Sequence, residues 1–392
     1  MHRVLVVINN TGIGGTERRL GRLFARMAAE RKDTVFVLNH GLWARLVAGG
    51  VIHPGGSRVV RLWTPFTALS RWLRFLGRGS FWVGKLDYVV FAGWFVCRYG
   101  LGRARMFHVA LGGAYVMLPL MVLRPSHRVV ISVTDPNLAG HVGTRKALPW
   151  FAAALRRSHC IEALTHDIGA SVAAEGIDPS RIVLSPGSVV DAARFRPAPN
   201  KDRSVVFAGR LVDEKNPRLF MESIPAIHRA VPQARFFLLG EGPLKERIAQ
   251  SIGELGLSGV VTTGFVDDLV PVLSRGMVFV SLQRRDNYPS QVLLEAMAAG
   301  MAVVATDVGQ TFRLVDEQTG IRVASTPHEV AEAVATLLAD PERCTRLGAA
   351  GRRRVMALHG EDRYRLHLAD LYGRLTGRME ECVTLGAPAA RS

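Results

Sequence analysis

Ser290, Gln291, Val292 and Glu295 stand at a spacing that suits capture of a phosphate beside a hydroxyl. They follow Pro289, where the sequence predicts a helix start. The first amides of a helix have no carbonyl partner inside it, and they sit at the positive end of its dipole. A phosphate or pyrophosphate fits there. Glu295 lies one helical turn further in, in reach of a neutral hydroxyl next to that phosphate. The chemistry this suggests is capture of a nucleotide-linked sugar. The plainer alternative stays open: strand–loop–helix units are common, and a lone Glu on a helix is usually solvated.

The elements that must position these residues can be read on either side. The stretch Val278 to Ala305 is V-F-V-S-L-Q-R-R-D-N-Y-P-S-Q-V-L-L-E-A-M-A-A-G-M-A-V-V-A. Met277–Leu282 is an apolar run of strand length, and Gln283–Ser290 is a polar loop. Gln291–Ala299 is rich in helix formers, Gly300 stops that helix, and Ala302–Thr306 begins another strand.

The chain has 392 residues, enough for two domains, and 48% of them are hydrophobic. Cys97, Cys160, Cys344 and Cys382 lack metal-ligand spacing, so they read as free thiols of a reducing cytoplasm. The N-terminus runs straight into a strand without a secretory pattern. The apolar runs Val89–Cys97 and Leu111–Leu123 are shorter than the roughly 20 residues of a membrane span. Charge is uneven. Residues 1–200 hold 26 Lys+Arg against 10 Asp+Glu, a net of +16, whereas residues 201–392 hold 24 against 23. From Arg45 to Arg128 there are 12 basic residues and one acid, Asp87, with Trp43 just ahead of them and Trp63, Phe66, Trp72, Phe75, Phe81, Trp82 and Trp94 interleaved. Arg71, Trp72, Arg74, Phe75 and Arg78 form a basic, aromatic patch with helical spacing. Such a patch suits an anionic membrane surface. A basic surface that aids solubility, with the aromatics in the core, is the alternative. No nucleic-acid motif accompanies the charge.

The first half opens with strand Val4–Ile8, the loop N-N-T-G-I-G-G-T-E and a helix from about Glu17 to Glu30. Gly12, Gly14 and Gly15 permit close approach of a ligand. The pattern is G-x-G-G rather than the dinucleotide G-x-G-x-x-G, so it predicts a first strand–helix crossover more firmly than a phosphate loop. Strands are expected at Thr34–Leu38, Asp87–Phe91, Met106–Ala110, Arg128–Val133, Cys160–Leu164 and Arg181–Leu184, whereas Val51–Pro54 and Val59–Leu62 do not read clearly as either element. Helices are expected at Gly113–Leu123, Leu148–Arg157 and His166–Glu175. This alternation predicts an α/β, doubly wound domain with ligands at the carboxyl ends of its strands. Asp135 sits at such an end, where an Asx turn before Pro136 is as good a reading as catalysis. His108, His127, His141 and His166 share no metal spacing and read as structural.

Pro186, Gly187, Pro197 and Pro199 mark the domain boundary. The expected domains are residues 1–195, residues 196–365, and a C-terminal helix and tail at 366–392. The second half alternates in the same way, with strands near Val205–Ala208, Ala234–Leu239, Val260–Thr262 and Gly320–Val323, and helices at Pro217–Ala230, Leu244–Leu255, Asp267–Ser274 and Pro327–Ala339.

Residues from about 204 to 324 resemble the donor-binding domain of retaining glycosyltransferase family 4, whose members have the GT-B fold. The matching pieces are V-V-F-A-G-R-L-V-D-E-K-N-P, F-F-L-L-G-E-G-P-L, T-T-G-F-V and D-N-Y-P-S-Q-V-L-L-E-A-M-A-A-G-M-A-V-V-A-T-D-V-G, in that order. G-G-T-E-R-R and S-P-G-S-V-V-D-A-A-R-F-R-P resemble the family's first glycine loop and interdomain segment. The resemblance is thin between about 40 and 125, on the acceptor side. It implies two Rossmann-like doubly wound domains facing an interdomain cleft, the first for the acceptor and the second for a nucleoside diphosphate sugar. Arg210 and Lys215 would clamp the donor diphosphate, Glu295 would hold the ribose, and the amides of Ser290, Gln291 and Val292 would meet the phosphates. Glu241, Phe265 and Val266 would border the base, and Gly14 and Gly15 would approach the donor. Breaking a glycosyl–phosphate bond builds charge on the phosphate, so two cations would serve there and no metal is expected.

Two positions depart from the family pattern. The family commonly has Glu eight positions before the helix glutamate; this chain has Asn287, with Asp286 beside it. A His often found near the sugar is replaced, by position, by Asp135, which could orient a hydroxyl or take the acceptor proton. The sequence is thus read as a retaining glycosyltransferase, cytoplasmic or peripheral on a membrane, acting on a glycan or lipid-linked acceptor and not on nucleic acid. A non-catalytic nucleotide-sugar-binding partner and a GT-B nucleotide-sugar epimerase remain as alternatives.

Overall fold

The computed structural model describes residues 3–8, 15–56, 58–62, 90–91, 93–100, 104–110, 127–134, 149–186 and 188–376. The expected helix Gly113–Leu123, the basic aromatic patch at 71–78, Gly12, Gly14, Asp135, His141 and Cys382 lie outside them. The chain divides into two compact units. One runs to Pro186 and takes in the segment from Tyr364 onward; the other is Gly187–Arg363.

The first unit is built on a parallel sheet of β1 (Arg3–Ile8), β2 (Thr34–Asn39), β3 (Val59–Leu62), β4 (Ala104–Ala110), β5 (Arg128–Val133), β6 (Cys160–Ala163) and β7 (Ile182–Leu184), in the order β3-β2-β1-β4-β5-β6-β7. Its helices include α1 (Gly15–Glu30), α2 (His40–Ala48), α3 (Pro149–Arg157) and α4 (His166–Ala174). Two local expectations are corrected. Residues 90 and 91, expected at the end of a strand, are helical and lead into a π turn at Val96–Gly100. Helix α2 is absent from the sequence reading; it starts because Asn39, one residue past the expected strand and the last of the observed one, caps it by accepting from Leu42 N at 2.8 Å. Within the basic region, the Arg61 guanidinium lies over the Trp43 ring, 4.6 Å from its centroid.

The last helix, α11 (Glu361–Thr376), completes this unit through a buried polar cluster. Glu162 Oε2 accepts from the hydroxyls of Ser132 and Tyr364, and Oε1 bonds to His367 Nε2 at 3.0 Å. Ser132 spends its one proton on Glu162, so His108 Nε2, 2.6 Å away, must carry the hydrogen between them. His108 Nδ1 is therefore bare and accepts from the Tyr372 hydroxyl at 2.6 Å. Burial is the main force that pushes His108 down to about 4, against the attraction of Glu162. Burial would raise Glu162, but the His367 bond and the other donors outweigh it and hold the carboxyl below its ordinary value. Both groups bind structure, as the sequence reading of His108 expects.

The second unit has a parallel sheet of β8 (Asp202–Ala208), β9 (Arg235–Leu239), β10 (Val261–Gly264), β11 (Gly276–Ser281), β12 (Ala302–Thr306) and β13 (Gly320–Val323), ordered β10-β9-β8-β11-β12-β13. Around it stand α5 (Pro217–Ala230), α6 (Lys245–Glu254), α7 (Val270–Arg275), α8 (Gln291–Ala298), α9 (Pro327–Ala339) and α10 (Pro341–His359). The central strands β8, β11 and β12 are buried on both faces. Val205 and Phe207 of β8 join one core with α5 and α9, while Val206 and Ala208 join the other with α8 and α10. Side chains alternate across a strand, so a strand covered on both faces reads as an unbroken apolar run. Each large side chain so buried contributes about 1.5–3 kcal/mol.

Candidate functional site

In both sheets the strand order reverses beside the first strand, between β1 and β4 and between β8 and β11. Such a reversal opens a crevice at the carboxyl ends of the strands. In the second unit, the loops that leave β8 and β11 carry the residues the sequence singled out.

After β8 the chain runs through Gly209 and Arg210 to a 3-10 turn at Asp213–Lys215. Three strand-end loops are laced together by backbone. Gly209 N donates to Leu239 O, Leu211 N to Glu241 O, and Gly240 N to Gly264 O. Gly240 and Gly242 have φ of +151° and +158°. A Cβ on Gly240 would overlap the Gly209 carbonyl, and one on Gly242 would overlap that of Leu211. This is the physical content of the G-E-G motif: the loop passes too close to its neighbour for any side chain.

Lys215 turns inward. Its ammonium donates to Gln283 Oε1 at 3.2 Å. Burial, then the repulsion of Arg210, push Lys215 from its ordinary 10.5 down to about 8, with Glu214 opposing. Lys215, Ser281, Gln283, Ser290 and Val292 line one hollow at the ends of β8 and β11. A second hollow shares Ser281, Gln283 and Ser290 and adds Asn287, Tyr288 and Thr311. The structure thus brings together Lys215, Ser290, Val292 and Asn287 from the sequence reading. Arg210 and Asn287 are exposed.

Helix α8 begins at the buried Ser290 and accepts its first intrahelical bond there, from Leu294 N to Ser290 O. It ends in a Schellman turn: Gly300, at φ +70°, donates to Met297 O, and Met301 N donates to Ala296 O. Lys201 Nζ bonds to Ala299 O at 2.7 Å, and Arg352 bonds to Ala298 O. Two cations at the negative end of the helix complement its dipole. The opposite, positive end faces the hollow.

The other candidates are placed as follows. Glu295 accepts from Gln291 Nε2 at 3.0 Å, and the same amide donates to Val189 O at 3.2 Å. Gln291 thereby points its side chain at the chain segment before β8. Glu241, on the β9 loop, is exposed and paired with Lys245 at 2.7 Å. Phe265, just past β10, is 58% exposed, and Val266 packs on the α8-side core. Gly15 is the first residue of α1, in the first unit.

Several lining residues were not singled out from sequence: Gln283, Ser281, Tyr288 and Thr311. Tyr288 has its amide bonded to Asp286 Oδ1 at 3.0 Å and its hydroxyl 3.4 Å from His359 Nε2. Arg313 stands over its ring, 5.7 Å from the centroid. Burial raises the Tyr288 phenol above its ordinary value. For Ser281, Gln283 and Tyr288 the available signal was their position at the end of β11 or between it and Pro289.

Residues 202–340 match the family Glycosyl transferases group 1. Among relatives, the GDP-mannose-dependent alpha-(1-6)-phosphatidylinositol monomannoside mannosyltransferase of Mycobacterium tuberculosis is 33% identical over 210 residues, covering 48% of this chain and 54% of that protein. The alpha-D-kanosaminyltransferase of Streptomyces kanamyceticus is 34% identical over 147 residues, covering 36% of this chain and 38% of that protein. The chain spans about half the length of the mycobacterial relative, or less in the second case. Among solved structures, Anabaena HepE in complex with UDP superposes with a TM-score of 0.71 at 15% identity, over 95% of this chain and all (100%) of that one. Sucrose-phosphate synthase from Thermosynechococcus elongatus superposes with a TM-score of 0.68 at 19% identity, over 96% of this chain and 100% of that one. At these identities the likeness speaks for the fold.

Proposed function

We propose that this chain, whose residues 202–340 match the family Glycosyl transferases group 1 and which has the GT-B type of α/β fold, moves a sugar from a nucleoside diphosphate donor to an acceptor hydroxyl with retention. The observation that carries the reading is Lys215 and the start of α8 lining one hollow at the strand reversal. A cation and a helix N-terminus converge there, as a diphosphate requires.

In this reading Arg210 and Lys215 take up the charge that grows on the leaving phosphate. The amides of Gln291 and Val292 hold the diphosphate, and Glu295 accepts from ribose hydroxyls. Asn287 bonds a sugar hydroxyl as donor or acceptor. Glu241, Phe265 and Val266 border the base. Asp135 receives the acceptor's proton, and Gly14 and Gly15 admit the donor from the first unit. A front-face substitution keeps the configuration without a protein nucleophile, which suits an amide rather than a carboxylate at 287. No metal is assigned a role.

The acceptor we infer is a glycan or lipid-linked precursor met at the cytoplasmic face of an anionic membrane, in line with the basic, aromatic stretch Arg45–Arg128. Among the described residues no helix is long and apolar enough to cross a membrane.

The test is a panel of GDP- and UDP-sugars, screened by thermal shift and then for transfer to added membrane lipid. A stabilising donor whose turnover is lost in Lys215→Ala and Glu295→Ala supports the reading, and NMR of the product's anomeric centre tests retention. Binding without turnover on any acceptor extract would assign the chain to the non-catalytic class. Binding of no donor at all would overturn the reading.

A further inference from the structure

The donor reading leaves one buried side chain without a task. Gln283 lies two residues past β11 and is 9% exposed. An amide buried that far is costly unless its groups are bonded. Gln283 is bonded in three directions. Its backbone carbonyl accepts from the Thr306 hydroxyl at 2.7 Å, which ties the loop to the end of β12. Its Nε2 donates to Ser281 Oγ at 3.4 Å. Its Oε1 accepts from Lys215 Nζ at 3.2 Å. The orientation of the amide follows from chemistry, because an ammonium only donates and must face the oxygen.

We propose that Gln283 is the positioning residue for Lys215, holding its ammonium at the hollow while leaving its positive charge whole. A carboxylate at 283 would hold the ammonium more tightly, but it would also cancel the charge. An amide oxygen supplies direction without a counter-charge. The charged groups acting on Lys215 are Arg210, which adds positive potential, and Glu214, which opposes it. Phe207 and Ala208 of β8 and Ser290 and Val292 of the α8 start line the same hollow and bring no charge. Arg284, next to Gln283, is turned to the Asn216 side chain, 3.5 Å away. Lys215 is therefore a half-buried cation that no carboxylate pairs with among the described residues, and a dianionic ligand completes it. The depressed value of about 8 agrees with that state. It also means that ligand binding above pH 8 takes up a proton.

The ligand in this inference rests on the nucleoside diphosphate reading; the bond between Gln283 and Lys215 does not. The test uses the full chain and the variants Gln283→Glu and Gln283→Met. Lys215 is titrated by NMR of lysine-labelled protein, with Lys215→Arg assigning its signal. Affinity for GDP and for UDP is measured by calorimetry at pH 7 and pH 9, in buffers of different ionisation enthalpy. In Gln283→Glu, the Lys215 midpoint is expected to rise by about one unit or more. Affinity for the preferred nucleotide is expected to fall about tenfold or more at pH 7, with no loss in melting temperature. Gln283→Met, which keeps the volume and removes the acceptor, is expected to lower the Lys215 midpoint and weaken binding severalfold. An unchanged Lys215 titration in both variants overturns the proposal. A shifted titration with unchanged nucleotide affinity overturns the claim that the charge is kept for the ligand. If the titration shifts while the parent chain binds neither GDP nor UDP, the donor reading fails and the positioning of Lys215 stands.

Discussion

Gly348 of α10 packs directly on Gly300, the residue that ends α8: a Cβ at 348 would overlap the Gly300 carbonyl oxygen. The helix that faces the candidate site is thus held from behind by a second helix that can approach only without a side chain. Gly253, inside α6, is also helical, but nothing lies within 4 Å of a Cβ added there. The same substitution should therefore have opposite effects. Gly348→Ala is expected to cost about 1–3 kcal/mol through backbone displacement. Gly253→Ala is expected to stabilise by roughly 0.5–1 kcal/mol through helix propensity. Denaturant unfolding of the second unit measures both.

Lys201 and Lys215 give that unit an alkaline signature. Burial first pushes each from the ordinary 10.5 to about 8. Between pH 8 and 10.5 the unfolded chain keeps protons that the folded chain has released. Stability therefore rises with pH across that window, by at most about 1.4 kcal/mol per pH unit for each lysine. Below pH 8 both states are protonated and the slope vanishes. The Cys344 thiol, raised by burial from its ordinary 9.0 to about 12, and the raised Tyr288 phenol act in the opposite sense, near pH 9.0 and 10.0, so the range is clean from about pH 8 to 9.5 only once Cys344 is replaced. Lys201→Met should remove about half of the rise, and Lys201→Met with Lys215→Met nearly all of it. Stability measured at pH 7.5, 8.5 and 9.5 in a Cys344→Ala background decides the matter; a slope unaltered in the double lysine variant would contradict the assignment.

The first unit should be sensitive to acid. His108 is held neutral, at about 4, while an unfolded histidine takes a proton near the ordinary 6.5. The unfolded chain binds the extra proton as pH falls from 6.5 to 4, so stability is lost across that window. Glu162, whose carboxyl sits below its ordinary 4.5, adds a further loss as pH falls through its folded value. His159, lowered by burial and by Arg128 and Arg181, acts in the same direction as His108. His108→Gln should flatten the slope between pH 6.5 and 4.5 by up to about 1.4 kcal/mol per unit. It should also lower stability at pH 7, because the bonds to Ser132 and Tyr372 depend on ring geometry. Melting curves at pH 7, 6 and 5 provide the measurement.

The alternation of strands and helices was legible because both sheets are parallel and their central strands are covered on both faces, so each central strand is largely an apolar run bounded by glycine or a polar loop. The start of α8 was legible for the same reason, from Pro289 ahead of a run of helix formers. Residues 90–91 were misread because D-Y-V-V-F, residues 87–91, supplies aromatic and β-branched side chains that suit a strand as well as a buried helix. Helix α2 was missed because Asn39 and Gly41 look like a turn until the Asn39 cap bond is seen. The link between Lys215 and Gln283 was not legible at all. The two are 68 positions apart, and a polar residue just past a strand does not reveal which way its side chain turns.

Asn287 offers the sharpest test of the proposed chemistry, because it stands where the resembling family commonly has Glu. It is exposed and lines a hollow with Gln283 and Ser290. If it bonds one sugar hydroxyl as a neutral group, Asn287→Ala removes a contribution of about 0.5–1.5 kcal/mol, which is roughly two- to tenfold in kcat/KM. Lys215→Ala removes charge from the developing phosphate and should cost roughly a hundredfold or more, mainly in kcat. Asn287→Asp keeps the shape and adds a negative charge near the diphosphate, so KM for the donor should rise, and the rise should shrink as salt is added. Steady-state kinetics of the three variants, at low and high ionic strength, separates the roles. A hundredfold loss in Asn287→Ala would mean that the amide touches the reacting centre, whereas wild-type kinetics in both 287 variants would place the sugar elsewhere.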